Sequence, residues 1–161
     1  RGLMGYTSRF LTLTKGTGVI NRIFHGYGKF EGEMDGRKNG ALISMSTGKA
    51  VAFAIFNLQA RGEMFVTHND PVYEGMIVGL TPKPGDMIIN VMKGKQLTNM
   101  RTQGTDENVV LTPVRQMSIA EQLSMLNTDE ALEITPKSLR LRKAILNPHD
   151  RKKSEKSGAA A

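Results

Sequence analysis

Residues 93–105 gather side chains able to grip a polyanion. Lys93, Lys95 and Arg101 supply cations, and Gln96, Thr98, Asn99, Thr102 and Gln103 supply amide and hydroxyl groups. That mixture suits phosphates, sugar hydroxyls and exposed base edges. Gly94 and Gly104 let a ligand approach the backbone closely. Met100 stands between Asn99 and Arg101, where a thioether could pack on a base. A solvated polar loop is the competing reading. A second basic run holds Lys137, Arg140, Arg142, Lys143, Arg151, Lys152 and Lys153, with Asp150 as its one acid. On a strand, Arg140 and Arg142 share one face and Leu139 and Leu141 the other. Such a stripe fits phosphate contact. It also fits a charged edge that blocks strand aggregation.

Other chemistries find little support. A P-loop needs a glycine five residues before Gly-Lys-[Ser/Thr]. Here Gly48-Lys49 precedes Ala50, and Ile43 occupies the glycine position. Gly26 and Gly28 follow an apolar run, but the third glycine of a dinucleotide fingerprint is misplaced. His25, His68 and His149 lack ligand partners at helical spacing, and His68-Asn69-Asp70-Pro71 reads as a turn. No Gly-x-Ser-x-Gly elbow occurs. Asp106 and Glu107 are the loop acids that an enzyme acting on RNA would have to use. Zero cysteines exclude disulfides, thiol nucleophiles and thiolate metal sites, and fit a reducing compartment.

The chain has 161 residues and a formal charge of +7, which favours a polyanionic partner. Its 17 glycines and 6% aromatic content point to many turns and a β-rich fold. No apolar run is long enough to span a bilayer, and no secretory leader pattern opens the chain. The first residue is Arg1 rather than Met, so the chain reads as a piece of a longer protein.

Several elements would position these groups. A helix is expected over residues 3–15, closed by Gly16, and then a strand over 19–24. The glycine-rich stretch 26–36 reads as a domain boundary. Apolar runs 41–45 and 50–56 read as a hairpin turning at residues 46–49. Residues 57–62 could form one helical turn. Short strands are expected at 64–66, 76–80, 87–91 and 109–111. Ser118 and Glu121 form a capping box before a short helix to residue 126. Two strands, 132–135 and 139–142, flank Pro136-Lys137-Ser138. Asn147-Pro148 could cap a last helical turn. The charged tail 151–161 is expected to be disordered. Apart from Met100, most of the ten methionines sit in apolar runs and read as core filling.

Four strings now carry a resemblance: RGLMGYTSRFLTLTKGTG, GKAVAFAIFNLQARG, VYEGMIVG and GKQLTNMRTQGTDENVVL. Over residues 1 to about 153 the chain resembles the C-terminal part of the BipA/TypA translational GTPases. The resemblance implies an α+β, mostly β fold. Residues 1–33 would be the helix and strand ending an elongation factor G-like, ferredoxin-like α/β sandwich. Residues 34–150 would be the family's own β-barrel-like C-terminal domain, with one short helix and a long polar loop. Residues 151–161 would be a basic tail.

The implied role is ribosome docking in translation or ribosome assembly under stress, without catalysis by this piece. GTP and Mg would belong to a preceding G domain. The implied partners are the large ribosomal subunit, rRNA near the peptidyl-transferase region, the tRNA acceptor end and the parent's GTPase domains. The protein would be monomeric, cytoplasmic and free of membrane. The loop residues Lys93, Lys95, Thr98, Asn99, Met100 and Arg101 would touch RNA. Gln96, Thr102, Lys137, Arg140, Arg142 and Lys143 join them on chemical grounds. The alternative is a protein-interaction module for the parent's other domains or a ribosomal protein. The chain departs from the family pattern at Thr102, Gln103 and Asn108, where small residues are usual. It departs also at Tyr6 and Thr7, where Phe and Arg are common, and near Asn69, where glycine is expected.

Overall fold

The computed structural model describes residues 3, 5–30, 32, 37–94 and 109–158. Its centre is a buried four-residue strand, β1 (Ala41–Ser44). The chain continues through β2 (Gly48–Lys49), helix α2 (Ala52–Gln59), β3 (Glu63–Met64), β4 (Pro71–Val72), β5 (Ile77–Leu80) and β6 (Met87–Ile89). Helix α1 (Tyr6–Leu13) precedes these elements. Helix α3 (Ile119–Met125), the hairpin β7 (Glu130–Ile134) and β8 (Leu139–Lys143), and helix α4 (Pro148–Gly158) follow.

The main sheet runs β3-β5-β1-β6. β1 is antiparallel to β5 and parallel to β6. β2 pairs with β4, and β7 with β8. An isolated bridge between Met76 and Arg142 joins the hairpin to the sheet. The fold is thus α+β and β-rich, as expected, but the described strands close no barrel.

Both faces of the sheet are covered, which is why β1 is apolar without alternation. One face buries Leu42, Val78, Met64 and Ile89 with Ile55 and Leu58 of α2. The other packs Ala41, Ile43 and Ile77 on Leu141, with Phe65, Met117, Leu126 and Leu132 around them. Met64 and Met76 are buried, so methionine fills core here as expected. Gly40 enters β1 so close to the Gly85 carbonyl that a Cβ would overlap it.

Several sequence expectations need correcting. Residues 52–59 form helix α2, not the second strand of a hairpin. A short apolar run fits either element by periodicity. Here Ala54, Ile55 and Leu58 fall on one buried helical face while Phe56 is half exposed. The first amide of the helix, on Ala52, donates to His68 Nδ1 at 3.2 Å, so a histidine from a distant turn caps it. No strand forms at 19–24, because nothing among the described residues pairs with it. Residues 109–111 are likewise not a strand. The neighbouring Thr112 backbone bonds instead to the side-chain amide of Gln59, donating at 3.2 Å and accepting at 2.9 Å.

The tail is helical through residue 158, not disordered. Asn147 accepts the His149 amide at 2.8 Å, Pro148 opens the helix and Asp150 lies in its first turn. Residues 34–150 therefore contain α2 and the start of α4 besides the expected short helix α3.

Other expectations hold. The Ser118–Glu121 capping box is present in full. The hairpin turns at Pro136-Lys137-Ser138, braced by a Ser138 amide bond to Thr135 Oγ1 at 3.0 Å. Helix α1 ends in a Schellman motif: the Lys15 amide donates to Thr12 O at 3.2 Å and the Gly16 amide to Leu11 O at 2.7 Å. Lys15 at φ 53° and Gly16 at φ 81° are both left-handed.

Candidate nucleic-acid interface

The hairpin presents the second basic cluster. Its register sets Glu133 opposite Arg140 and Ala131 opposite Arg142. As alternation requires, Leu141 is buried between the two arginines, which are half-buried on the other face. Arg140 Nη1 lies 3.4 Å from Glu133 Oε1. Glu133 also accepts the Tyr73 hydroxyl at 2.5 Å. Burial, then the Glu133 carboxylate, pushes the Tyr73 phenol up to about 12. Arg142 donates to the Lys143 and Ala144 carbonyls at 3.2 and 3.4 Å. Lys137 stands exposed at the tip and has no ion-pair partner among the described residues.

Lys143 does not belong with them. Its side chain is 2% exposed, and its ammonium lies 2.5 Å from Asp86, 2.6 Å from Asp129 and 3.0 Å from Glu130. An ammonium has three donors, and three carboxylates occupy them, so none is left for a phosphate. Burial by itself would lower its pKa, but the three carboxylates carry it above the ordinary lysine value. Burial likewise works to raise the Asp86 carboxyl. The Ala41 amide and the Lys143 ammonium overcome that effect and hold it below the ordinary range.

Sequence reasoning missed Arg37, which joins this network from just before β1. Its guanidinium grips the fully buried Glu130 carboxylate through two bonds of 2.6 and 2.5 Å. A glutamate at the start of an apolar strand was the available signal, since a buried carboxylate requires cations.

Lys93 is exposed, four residues after β6, and with Arg61 it lines a depression of about 380 Å³. Lys95, Gln96, Thr98, Asn99, Met100, Arg101 and Thr102 lie outside the described residues. So do Asp106 and Glu107. Beyond the hairpin, Lys152, Lys153 and Lys156 are exposed along α4, while Arg151 donates to the Ile145 and Leu146 carbonyls at 3.0 and 2.7 Å. Among the described residues, no group of His, Cys, Asp or Glu is arranged to hold a metal, and no helix is long and apolar enough to cross a membrane.

Residues 39–148 match the TypA/BipA C-terminal domain family. The chain is 48% identical over 157 residues to the large ribosomal subunit assembly factor BipA of Buchnera aphidicola from Schizaphis graminum. It is 46% identical to the factors of the same name from Salmonella typhimurium and Escherichia coli. Those alignments cover 97% to 98% of this chain and 26% of each relative, so the chain spans about a quarter of their length. The chain belongs to the TypA/BipA family and carries its C-terminal domain.

Proposed function

We propose that the chain is a non-catalytic module that docks a TypA/BipA factor onto the large ribosomal subunit through RNA. The observation that carries the reading is the match, along nearly the whole chain, to relatives named as large-subunit assembly factors. A factor working on that particle meets a surface dense in phosphates, and this chain carries +7. The residues assigned to contact are Lys93, Lys95, Gln96, Thr98, Asn99, Met100, Arg101 and Thr102 of the loop, with Lys137, Arg140 and Arg142 of the hairpin. Lys143 is withdrawn from the set because it is sealed among its own carboxylates. Loop contact with rRNA near the peptidyl-transferase region and with a tRNA acceptor end, a monomeric state, a cytoplasmic site of action, a role in translation or assembly under stress, and GTP with Mg in a preceding G domain belong to the same proposal.

Co-sedimentation with large subunits across a salt series tests it. Lys95→Ala and Arg101→Ala should each weaken binding and lower the salt slope by about 0.7–0.9 per lost phosphate contact. Unchanged affinity and slope in both variants would remove the loop from the mechanism.

A second reading applies to residues 3–30. Val19, Ile23, Phe24, Tyr27 and Phe30 are each more than 70% exposed, and no residue of α1 is buried. So much open apolar surface suits protein contact, with other domains of the factor or with a ribosomal protein. A fragment of residues 37–158 that keeps RNA binding but loses such a contact would support it.

A further inference from the structure

The depression of about 380 Å³ that Arg61 and Lys93 line opens between α2 and the segment following β6. That volume falls in the range of small-ligand pockets. Helix α2 supplies Phe53, Ala54, Asn57 and Leu58. Ala54 and Leu58 are buried and Phe53 is half-buried, so the floor is apolar. Arg61, two residues beyond α2, joins Asn90 and Lys93 in completing the lining, and all three are exposed.

No carboxylate among the described residues lines this depression. Its cations are also unspent. The Arg61 guanidinium reaches only the Met87 sulfur, at 3.7 Å, and Lys93 has no ion-pair partner among the described residues. Glu63, the acid nearest to Arg61 in sequence, lies 3.9 Å from Arg115 instead. Nor does the guanidinium serve the end of α2, since the Leu58 carbonyl takes the Arg61 backbone amide, at 2.8 Å. The two asparagines have donors to spare. Asn90 Oδ1 accepts the Met92 amide at 2.9 Å, which leaves its amino group without a partner among the described residues. Asn57 donates one amide hydrogen to the Phe53 carbonyl at 2.8 Å and keeps the second. A cleft of one charge sign with low-dielectric walls focuses its field and concentrates counter-ions. A phosphodiester, which offers acceptors and a negative charge, matches such a lining. The apolar floor would bed the attached nucleoside, a contact that an unpaired strand can make and a stacked duplex cannot.

We propose that this depression seats one nucleotide of single-stranded RNA, its phosphate held by Arg61 and Lys93 with Asn57 and Asn90 as neutral donors. The proposal rests on the RNA-docking reading, which counts only Lys93 among these four, and adds the other three. An acidic peptide would meet the same cations. Continuity in sequence with the cations and amides of residues 93–103 favours RNA.

The test is fluorescence anisotropy on the full chain with labelled octauridylate and labelled octaglutamate. Three variants each lower the net charge by one. Arg61→Gln removes the guanidinium. Asn90→Asp keeps an oxygen for the Met92 amide and sets a carboxylate beside the two cations. Lys38→Gln is the control, an exposed lysine outside the depression. Wild type should prefer octauridylate. Arg61→Gln should weaken it about threefold to tenfold, the range for one lost hydrogen-bonded contact. Its salt slope should fall by about 0.7. Asn90→Asp should weaken octauridylate at least as much, and Lys38→Gln less than either. All three should melt like wild type.

Losses in Arg61→Gln and Asn90→Asp no larger than in Lys38→Gln would show diffuse charge and overturn the site. So would a failure of wild type to bind octauridylate, or tighter binding of octaglutamate, which would point to an acidic protein segment. Large-subunit co-sedimentation, run alongside, separates this site from the docking reading. If wild type sediments with subunits while Arg61→Gln and Asn90→Asp match Lys38→Gln on octauridylate, the site alone falls. If octauridylate shows the expected losses while wild type fails to sediment with subunits, the docking reading alone falls.

Discussion

Replacing Lys143 by methionine asks whether the buried ammonium serves the fold or a ligand. The change keeps most of the side chain's length and removes its charge. Breaking a fully buried ion pair costs about 3–5 kcal/mol, mainly through the charge left behind. Here the cost is smaller, because the abandoned carboxylates differ. Asp86 and Asp129 have side chains 33% and 57% exposed and can turn toward water. Glu130 is fully buried but keeps its two bonds to Arg37. The loss should be about 2–3 kcal/mol, below the full burial range. For a domain of this size that lowers the melting temperature by roughly 4–12 °C. Thermal and urea melts of wild type, Lys143→Met and Arg140→Ala provide the assay. Arg140→Ala, which loses one partly exposed pair, should stay within about 1 kcal/mol of wild type. Below its melting point, Lys143→Met should bind large subunits with an unchanged salt slope. A variant that melts like wild type yet binds RNA with a reduced slope would show the ammonium to be a phosphate ligand and refute the reasoning.

Three further outcomes follow from named contacts. Stability should fall in acid as Asp86 titrates. Its folded pKa is depressed, so its contribution is complete above the ordinary carboxylate value near pH ~4 and is lost as pH drops through the lower folded value. Lys143 acts in the opposite sense, its contribution complete below the ordinary lysine value and lost at higher pH. Urea midpoints should therefore be flat across neutral pH, and Asp86→Asn should flatten the acid limb. Asn69 holds φ at 69°, in the left-handed region that favours glycine. Asn69→Gly should be neutral or slightly stabilising and Asn69→Val should cost about 1–2 kcal/mol, both read from urea melts. Tyr73 should titrate near 12, and Glu133→Gln should bring it down by removing the neighbouring negative charge, as followed by tyrosinate absorbance.

Elements that carry their own chemistry were readable in the sequence. Ser118 and Glu121 specify a helix start by mutual hydrogen bonds, whatever surrounds them. Residues 135–138 specify their turn in the same local way. Elements defined by neighbours were not readable. The run at 50–56 is apolar enough for strand or helix. What decides is that Ile55 and Leu58 meet one core, and that His68 reaches across to the Ala52 amide. The strand expected at 19–24 needed a pairing partner that the described residues do not contain. Of the basic set, Arg140 and Arg142 follow from alternation, and Lys137 from its place in the turn between the two strands. Alternation puts Lys143 on the face of Leu141, and tertiary structure brings Asp86 and Asp129 to it there.

The Arg37–Glu130 pair joins positions 93 residues apart, and the face of the sheet bearing Ala41, Ile43 and Ile77 is closed by Leu141. During synthesis the first half of the domain must therefore wait with an oily face bare until its last hairpin has left the exit tunnel. Such an interval invites aggregation or chaperone capture. Truncations that stop short of β8 should accordingly be recovered as insoluble protein, and completion of the domain should coincide with the appearance of its basic hairpin.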